Sequence, residues 1–503
     1  MDIRKLSEEL LIVDPDGVGE GNNEKLAKGG GARFFRNLGT LVGGQVASKL
    51  IGLLAFAYLA RMLDTHSYGE IEFIVGLAGL SATVIDLGLG TIGVRRAAAE
   101  PAKRGQLAAQ ILLVRGAVAL VCGLAMVIGV NLFGGSPILH GLVVLYAFSL
   151  LISAAYQEWL LQSAGLMTQV ALAQILRMSV FFAAILLLVH GIGDAVLVGA
   201  CEIAAVSAAA GFAMAVQSRK IAPLRLPARV ETRSLVREAL PVAAGTMIWS
   251  AAQYAPLFLT GALVGGAGVG FFAGASRLAV SVGTFSFVYH FNLYATASRV
   301  AGRGGGALSA VMRSSFRATA WVTIGGALLV SLAATPIITT IFGRDFAAGA
   351  ASLAILIWTV PVMFLSGHAR WSLILAHCEI ETFRSQVVGL LTVVLLGLAL
   401  VPSYSATGAA IAAVGGNIGV LVSSHVLARL RRVETPPLWL AAKPLLLAGA
   451  LALCIAPVTL PPWAAALSAI ALYALIAPLL DRSLLSDMLH LARVSGDGGK
   501  GAE

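Results

Sequence analysis

Charge is scarce in this chain. Asp, Glu, Lys and Arg together supply 12% of the 503 residues, about half the ~25% found in ordinary soluble domains. With 58% hydrophobic residues and a mean hydropathy of +0.88, the chain cannot give water a polar surface along its whole length, which excludes a soluble globular fold. Cysteine is nearly missing too. Cys122, Cys201 and Cys454 each stand alone in an apolar stretch and Cys378, beside His377, closes another; with no CxxC spacing and no further ligand grouped with them, neither a disulfide framework nor a metal site is expected. A phosphate-cradling P-loop is absent, and no cofactor is called for. The net charge of +10 would suggest nucleic acid in a soluble protein, but here the cations fall in loops, so no nucleic-acid partner is expected.

What is abundant is apolar runs of membrane-crossing length. Residues 38–60 and 68–92 form a hairpin about a short polar turn that ends at Arg95 and Arg96, and at 1.5 Å per residue each arm spans the roughly 30 Å of a bilayer core. Similar runs recur at 108–130, 141–161, 170–189 and 195–216, then at 240–262, 270–297, 316–334, 350–376, 387–401, 407–428, 444–456 and 464–480. The expected fold is an all-α polytopic membrane protein of about fourteen transmembrane helices, as two six-helix repeats plus two C-terminal helices. Its divisions are a flexible cytoplasmic tail (1–36), an N-terminal half (37–216), a basic cytoplasmic linker (217–238), a C-terminal half (239–430), two added helices (431–482) and a second tail (483–503). With this segmentation the outer loops carry Arg61 and Arg344 while the inner loops hold the other loop cations, which orients both termini toward the cytoplasm.

Short echoes relate the halves. Tyr68-Gly69-Glu70 after the first turn is matched by Val269-Gly270-Phe271 after the seventh segment, and Trp159-Leu160-Leu161 by Trp371-Ser372-Leu373. Because six is even, the relating axis runs along the membrane normal and a central cavity is expected between halves.

Ionisable groups inside such segments are costly and so are site candidates. Lys49 lies about 16 Å from the inner end of its helix, and Arg177 and Arg277 about 12 Å from their nearer ends. Together with Arg370 they are candidate binders of an anionic substrate, with Arg offering a planar fork and Lys a point charge. Arg115 is shallower. Asp86, Glu158 and Glu202 are candidates for ion coupling or for pairing with these cations, and Glu72 is a further buried acid. Glu158 and Arg370, at equivalent points of the two halves, are one expected pair. Pro256 and Pro361 fall inside apolar segments and are candidate hinges.

The stretches Ala60-Arg61-Met62-Leu63-Asp64, Tyr68-Gly69-Glu70-Ile71, Asp86-Leu87-Gly88-Leu89-Gly90 and the run from Pro402 to Ala413 resemble the polysaccharide biosynthesis proteins, the Wzx-type flippases, over roughly residues 33–430. Gln157 and Glu158 stand where some of those relatives have Pro-Asp. The superfamily also holds multidrug antiporters and peptidoglycan-precursor flippases. The resemblance implies a transporter, not an enzyme, that turns an undecaprenyl-diphosphate-linked oligosaccharide (an O-antigen or exopolysaccharide unit) across the bacterial inner membrane by alternating access, driven by an electrochemical gradient. Membrane lipids, a polysaccharide polymerase and a chain-length regulator are the partners it implies. A cation-coupled multidrug antiporter is the alternative, for which deep acids should outnumber bases. A membrane-embedded glycosyltransferase or ligase would need outer carboxylates beyond Asp64, Asp194 and Asp345.

Overall fold

The structure, a computed structural model, describes residues 20–225, 229–301 and 306–484. The expected tails therefore lie largely outside the described residues, as does the middle of the basic linker. Helix α1 (Glu20–Met62) begins well inside the stretch read as a flexible tail, so that stretch is helical in its second part.

The first half continues with α2 (Thr65–Asp86), α3 (Leu89–Ala99), α4 (Arg104–Phe133), α5 (Pro137–Ser153), α6 (Glu158–Ser163), α7 (Met167–Leu188) and α8 (Leu197–Lys220). Helices α9 (Arg229–Leu263), α10 (Gly266–Ala301), α11 (Ala307–Leu332), α12 (Ala334–Phe342), α13 (Ala350–Leu356), α14 (Thr359–Leu375) and α15 (Glu379–Leu430) follow. The chain closes with α16 (Ala442–Ile455) and α17 (Pro462–Leu480), which pack chiefly on α11. Among the described residues, 12 helical stretches are long and apolar enough to cross a membrane. The 52-residue α15 turns at Ser405 (φ 48, ψ −130) and holds two of the expected segments in one. Helix α9, which apolarity alone does not select, supplies the remaining one. Each of the fourteen expected segments thus has its helix.

Local chemistry explains the ends. Asp64 caps α2, its carboxylate accepting the backbone N–H groups of His66 and Ser67 at 3.3 Å, and Ser136 caps α5 in front of Pro137; both side chains satisfy donors that a helix start leaves unpaired. Three spans are broken along their length. The second breaks between α2 and α3, where Leu87 and Gly88 both take left-handed backbone angles (φ 48 and 71). Gly88 is required there twice over, because a Cβ would also stand 2.9 Å from the carbonyl oxygen of Ala239 on α9. The fourth breaks between α5 and α6, and the tenth at Ile357 and Trp358, between α13 and α14. Pro361 therefore lies in the first turn of α14, just past a break, rather than inside a continuous helix as expected, whereas Pro256 does lie inside α9.

Leucines such as Leu113, Leu187, Leu395 and Leu453 project outward with more than half their surface exposed, as suits a bundle whose solvent is lipid. The main core runs through both halves, from Phe56, Leu59 and Phe181 to Phe342 and Phe346. Helices α2 and α10 cross between the halves at backbone contact. A Cβ on Gly69 would meet the Gly266 carbonyl oxygen at 1.8 Å and the Gly270 nitrogen at 2.9 Å. Gly69 and Gly270, the two glycines of the sequence echo, meet each other here.

Candidate functional site

Two adjoining cavities lie inside the bundle. One, of about 710 Å³, is enclosed mainly by α2 to α8; the other, of about 450 Å³, lies between α1, α2, α9 and α10. Phe56, Val75, Met178, Tyr254 and Arg277 face both. Arg277 comes from the second half, yet reaches into the cavity of the first.

The broken spans deliver its charges. The stop at Leu87 leaves Asp86 at the end of α2, where it pairs with Arg115 of α4. The break before α6 puts Glu158 at a helix start, where it accepts hydrogen bonds from Gln162 (2.9 Å) and Gln174 (3.1 Å). On continuous helices, Arg177 of α7 pairs with Glu202 of α8. Arg277 is gripped by Glu72 of α2 through two hydrogen bonds, that from Nη2 being 2.9 Å, and its guanidinium carbon lies 3.2 Å above the Phe56 ring, a cation–π contact. Lys49 of α1 donates to the Thr284 hydroxyl on α10.

Lys49, Arg177 and Arg277 thus gather at the cavities with Asp86, Glu158 and Glu202. Arg370 does not. It lines neither cavity, lies in the second half beside His290, and its Nε has no hydrogen-bond partner. The expected Glu158–Arg370 pair is not formed: Glu158 faces the first cavity, where Gln162 and Gln174 both donate to its Oε1, while Arg370 lies on α14 away from it. Nor do cations outnumber acids at the cavities. Lys49, Arg115, Arg177 and Arg277 are balanced by Glu72, Asp86, Glu158 and Glu202, and three of the four cations are paired.

The cavities lie between inter-half contacts at both ends of the bundle. At one end Arg95 and Arg96 both pair with Glu238 in the third turn of α9. At the other end the glycine crossing is backed by Tyr68, Phe271, Phe342 and Phe346 in edge-on ring contacts. Arg61 donates to the Thr340 and Ile341 carbonyls beside them.

Sequence reasoning missed a second polar cluster, formed by Tyr289, His290, Ser315 and His368 between α10, α11 and α14. The signal was present, since His290, His368 and His425 all sit in apolar segments where histidine is as uncommon as other ionisable groups.

Comparison with known proteins then fixes the family. Among solved structures, the lipid II flippase MurJ in an inward closed conformation superposes with a TM-score of 0.70 at 13% identity, covering 88% of this chain and 99% of that one. A multidrug resistance MATE transporter of the MOP superfamily, inward-facing, superposes with a TM-score of 0.62 at 13% identity, covering 76% and 94%. At such identity these likenesses establish the fold alone. No curated protein matches the chain by sequence. The family described as polysaccharide biosynthesis protein matches residues 34–290, just over half of the chain. With a flippase-like transporter fold behind that match, the chain belongs to the polysaccharide biosynthesis protein family.

Proposed function

We propose that the protein flips an undecaprenyl-diphosphate-linked oligosaccharide from the inner to the outer leaflet of the cytoplasmic membrane, by alternating access between two six-helix units related by an axis along the membrane normal. One observation carries the reading: Arg277, from the second half, projects into both cavities and is held there by a carboxylate of the first half. A carboxylate in a bidentate grip on a guanidinium occupies the geometry that a phosphate oxygen pair would take. Glu72 and Glu202 act in this reading as resident counter-ions. They keep the cavity neutral when it is empty, and the diphosphate displaces them from Arg277 and Arg177 as it enters, so that no cation is ever left bare in a poorly solvated site. Lys49, bound only to a hydroxyl, adds a point charge that needs no exchange. The diphosphate and the first sugars occupy the cavity while the polyprenyl chain stays in lipid. Helix breaks beside Asp86 and Glu158 fit the discontinuous helices that transporters use at mid-membrane sites. The reading makes the protein a carrier and not an enzyme, and implies a polymerase and a chain-length regulator that act on the same lipid after it.

The test is flipping of a fluorescent undecaprenyl-diphosphate glycan in proteoliposomes. Arg277→Ala and Lys49→Ala are expected to abolish flipping in protein that still inserts and purifies normally, and Arg277→Lys to keep more activity than Arg277→Ala because charge survives without the fork. Full flipping by the Arg277→Ala, Lys49→Ala double variant at normal abundance overturns the assignment.

A further inference from the structure

Four polar side chains far from the cavities form one directed chain. The Tyr289 hydroxyl lies 2.6 Å from Ser315 Oγ, Ser315 Oγ lies 2.8 Å from His368 Nε2, and His368 Nδ1 lies 3.4 Å from His290 Nε2. The two imidazoles are 1% and 0% exposed, with centroids 4.9 Å apart and planes nearly perpendicular. Backbone carbonyls decide where the hydrogens sit. His290 Nδ1 faces the carbonyl oxygen of Ser286 at 2.7 Å and His368 Nδ1 that of Phe364 at 2.9 Å. A carbonyl only accepts, so each Nδ1 carries the hydrogen and each Nε2 a lone pair. The Ser315 hydroxyl therefore donates to His368 Nε2 and the Tyr289 hydroxyl donates to Ser315. Every donor points the same way along the chain. The last lone pair, on His290 Nε2, receives only the long, shared contact from His368 Nδ1.

We infer that this chain is a proton-binding site, with half-buried Tyr289 as its mouth and His290 Nε2 as its terminus. A proton arriving at the Tyr289 oxygen sends the phenolic hydrogen to Ser315, the Ser315 hydrogen to His368 Nε2, and the His368 Nδ1 hydrogen to His290 Nε2. One proton enters, three hop, no atom is oxidised or reduced, and the positive charge comes to rest on His290 as an imidazolium while His368 gives up its bond to the Phe364 carbonyl and becomes its other neutral tautomer. The groups facing the pair are Tyr289 on α10, Arg370 on α14 and His425 on α15. Arg370 resists the new charge, so loading the site pushes α14 away from α10. Room for slack is absent there, because the His290 ring lies against the backbone of α14: a Cβ on Gly367 would meet it at 2.3 Å. Helix α10 also bears Arg277 and Thr284, the partner of Lys49. Resting on the flippase reading, loading of the proton site and release of the diphosphate are two pulls on one helix, about 20 Å apart along it at 1.5 Å per residue. The proton is then the coupling ion.

Histidine-labelled protein in lipid nanodiscs tests the site without any substrate. Between about pH 8 and about pH 3, a range carried well below ordinary imidazole titration because both rings are buried, the nitrogen NMR signals are expected to show His290 becoming doubly protonated as His368 switches from its Nδ1–H to its Nε2–H tautomer. In Ser315→Ala, which removes the link while keeping shape, His368 should hold its Nδ1–H tautomer throughout. Both rings staying neutral Nδ1–H across that range in the unaltered protein overturns the proposal. Coupling is read from flipping of the fluorescent lipid under an imposed pH difference, where one coupled proton sustains up to about tenfold accumulation per pH unit. Tyr289→Phe, which keeps the ring packing, should slow the gradient-driven flux, and His290→Gln should remove the response to the gradient. A protein whose histidines titrate as described but which flips no lipid refutes the flippase reading and leaves the proton site standing. A protein that flips lipid without regard to pH difference, its histidines neutral, does the reverse.

Discussion

The pair formed by Glu72 and Arg277 can be taken apart energetically. Glu72 is 6% exposed and Arg277 25%, so neither can turn to water when its partner is removed. Glu72→Gln leaves a guanidinium over Phe56 without a counter-ion, and Arg277→Met leaves a carboxylate in the protein interior. Each single change is expected to cost about 3–5 kcal/mol, the usual penalty for stranding one member of a buried pair, or roughly a hundred- to several-thousandfold in the unfolding equilibrium. The double variant Glu72→Gln, Arg277→Met strands nothing, so most of that loss should return as a coupling energy in the cycle. The assay is denaturant unfolding of purified protein in micelles, run beside lipid flipping on the same four proteins. Stability should recover in the double variant and flipping should not, because the cation proposed to grip phosphate is gone. Single losses that simply add would refute the buried-pair argument. Recovery of flipping together with stability would make Arg277 a packing element.

Three further outcomes follow from geometry at the ends of the bundle. Gly69→Ala places a methyl group against the Gly266 carbonyl, and the backbones must part at a cost of about 1–3 kcal/mol; a cysteine at cavity-lining Ser276 should then react faster with an impermeant reagent added outside. Glu238→Gln unties Arg95 and Arg96 at the inner end, and because these groups are about one-third exposed the effect is at most about 1 kcal/mol, a fivefold shift in favour of inner opening, read as faster cytoplasmic labelling of a cysteine at Ser153. At the outer turn, burial alone would raise the Asp64 carboxyl, but hydrogen bonds from Ser67 and His66 outweigh it and hold it below the usual carboxylate range. Its contribution to stability is thus whole above the unfolded-state value and is lost as pH falls through the lower folded-state value. Asp64→Ala should lose about 0.5–2 kcal/mol near neutral pH, while Asp64→Asn keeps the cap and flattens the acid limb of the stability–pH curve.

The membrane fold was legible because each crossing needs its own apolar run, and a run of that length is hard to hide. Helix α9 was found by the same count although Pro241 and Pro256 and its basic inner turn dilute its apolarity. That Lys49, Arg177 and Arg277 line the cavities was legible for the complementary reason: a charge in an apolar run is conspicuous. Partnership was not, because it depends on how helices face one another. Spacing along the chain says nothing of α2 lying against α10, so the Glu72–Arg277 grip could not be read, and symmetry suggested a Glu158–Arg370 pair whose members the fold keeps apart, Glu158 at the first cavity and Arg370 away from both. Arg370 looked equivalent to the cavity cations because depth is visible in a sequence and direction is not. The break at Leu87 carries no proline and arises from left-handed backbone angles at Leu87 and Gly88, whereas that at Trp358 stands one turn before Pro361, which has no N–H to give the Ile357 carbonyl.

The even count of cations and carboxylates around the cavities also governs how the carrier responds to voltage. A cavity that holds no net charge does no electrical work when its access switches sides, so the return of the empty carrier proceeds at the same rate in a polarised and a depolarised cell. With the anionic cargo proposed above the loaded passage would differ, since a membrane negative inside favours outward transit of negative charge by about 2.3 kcal/mol per elementary charge per 100 mV. On that proposal the voltage acts only on the charge the vessel takes up: it drives the anionic cargo outward and a proton held at His290 inward.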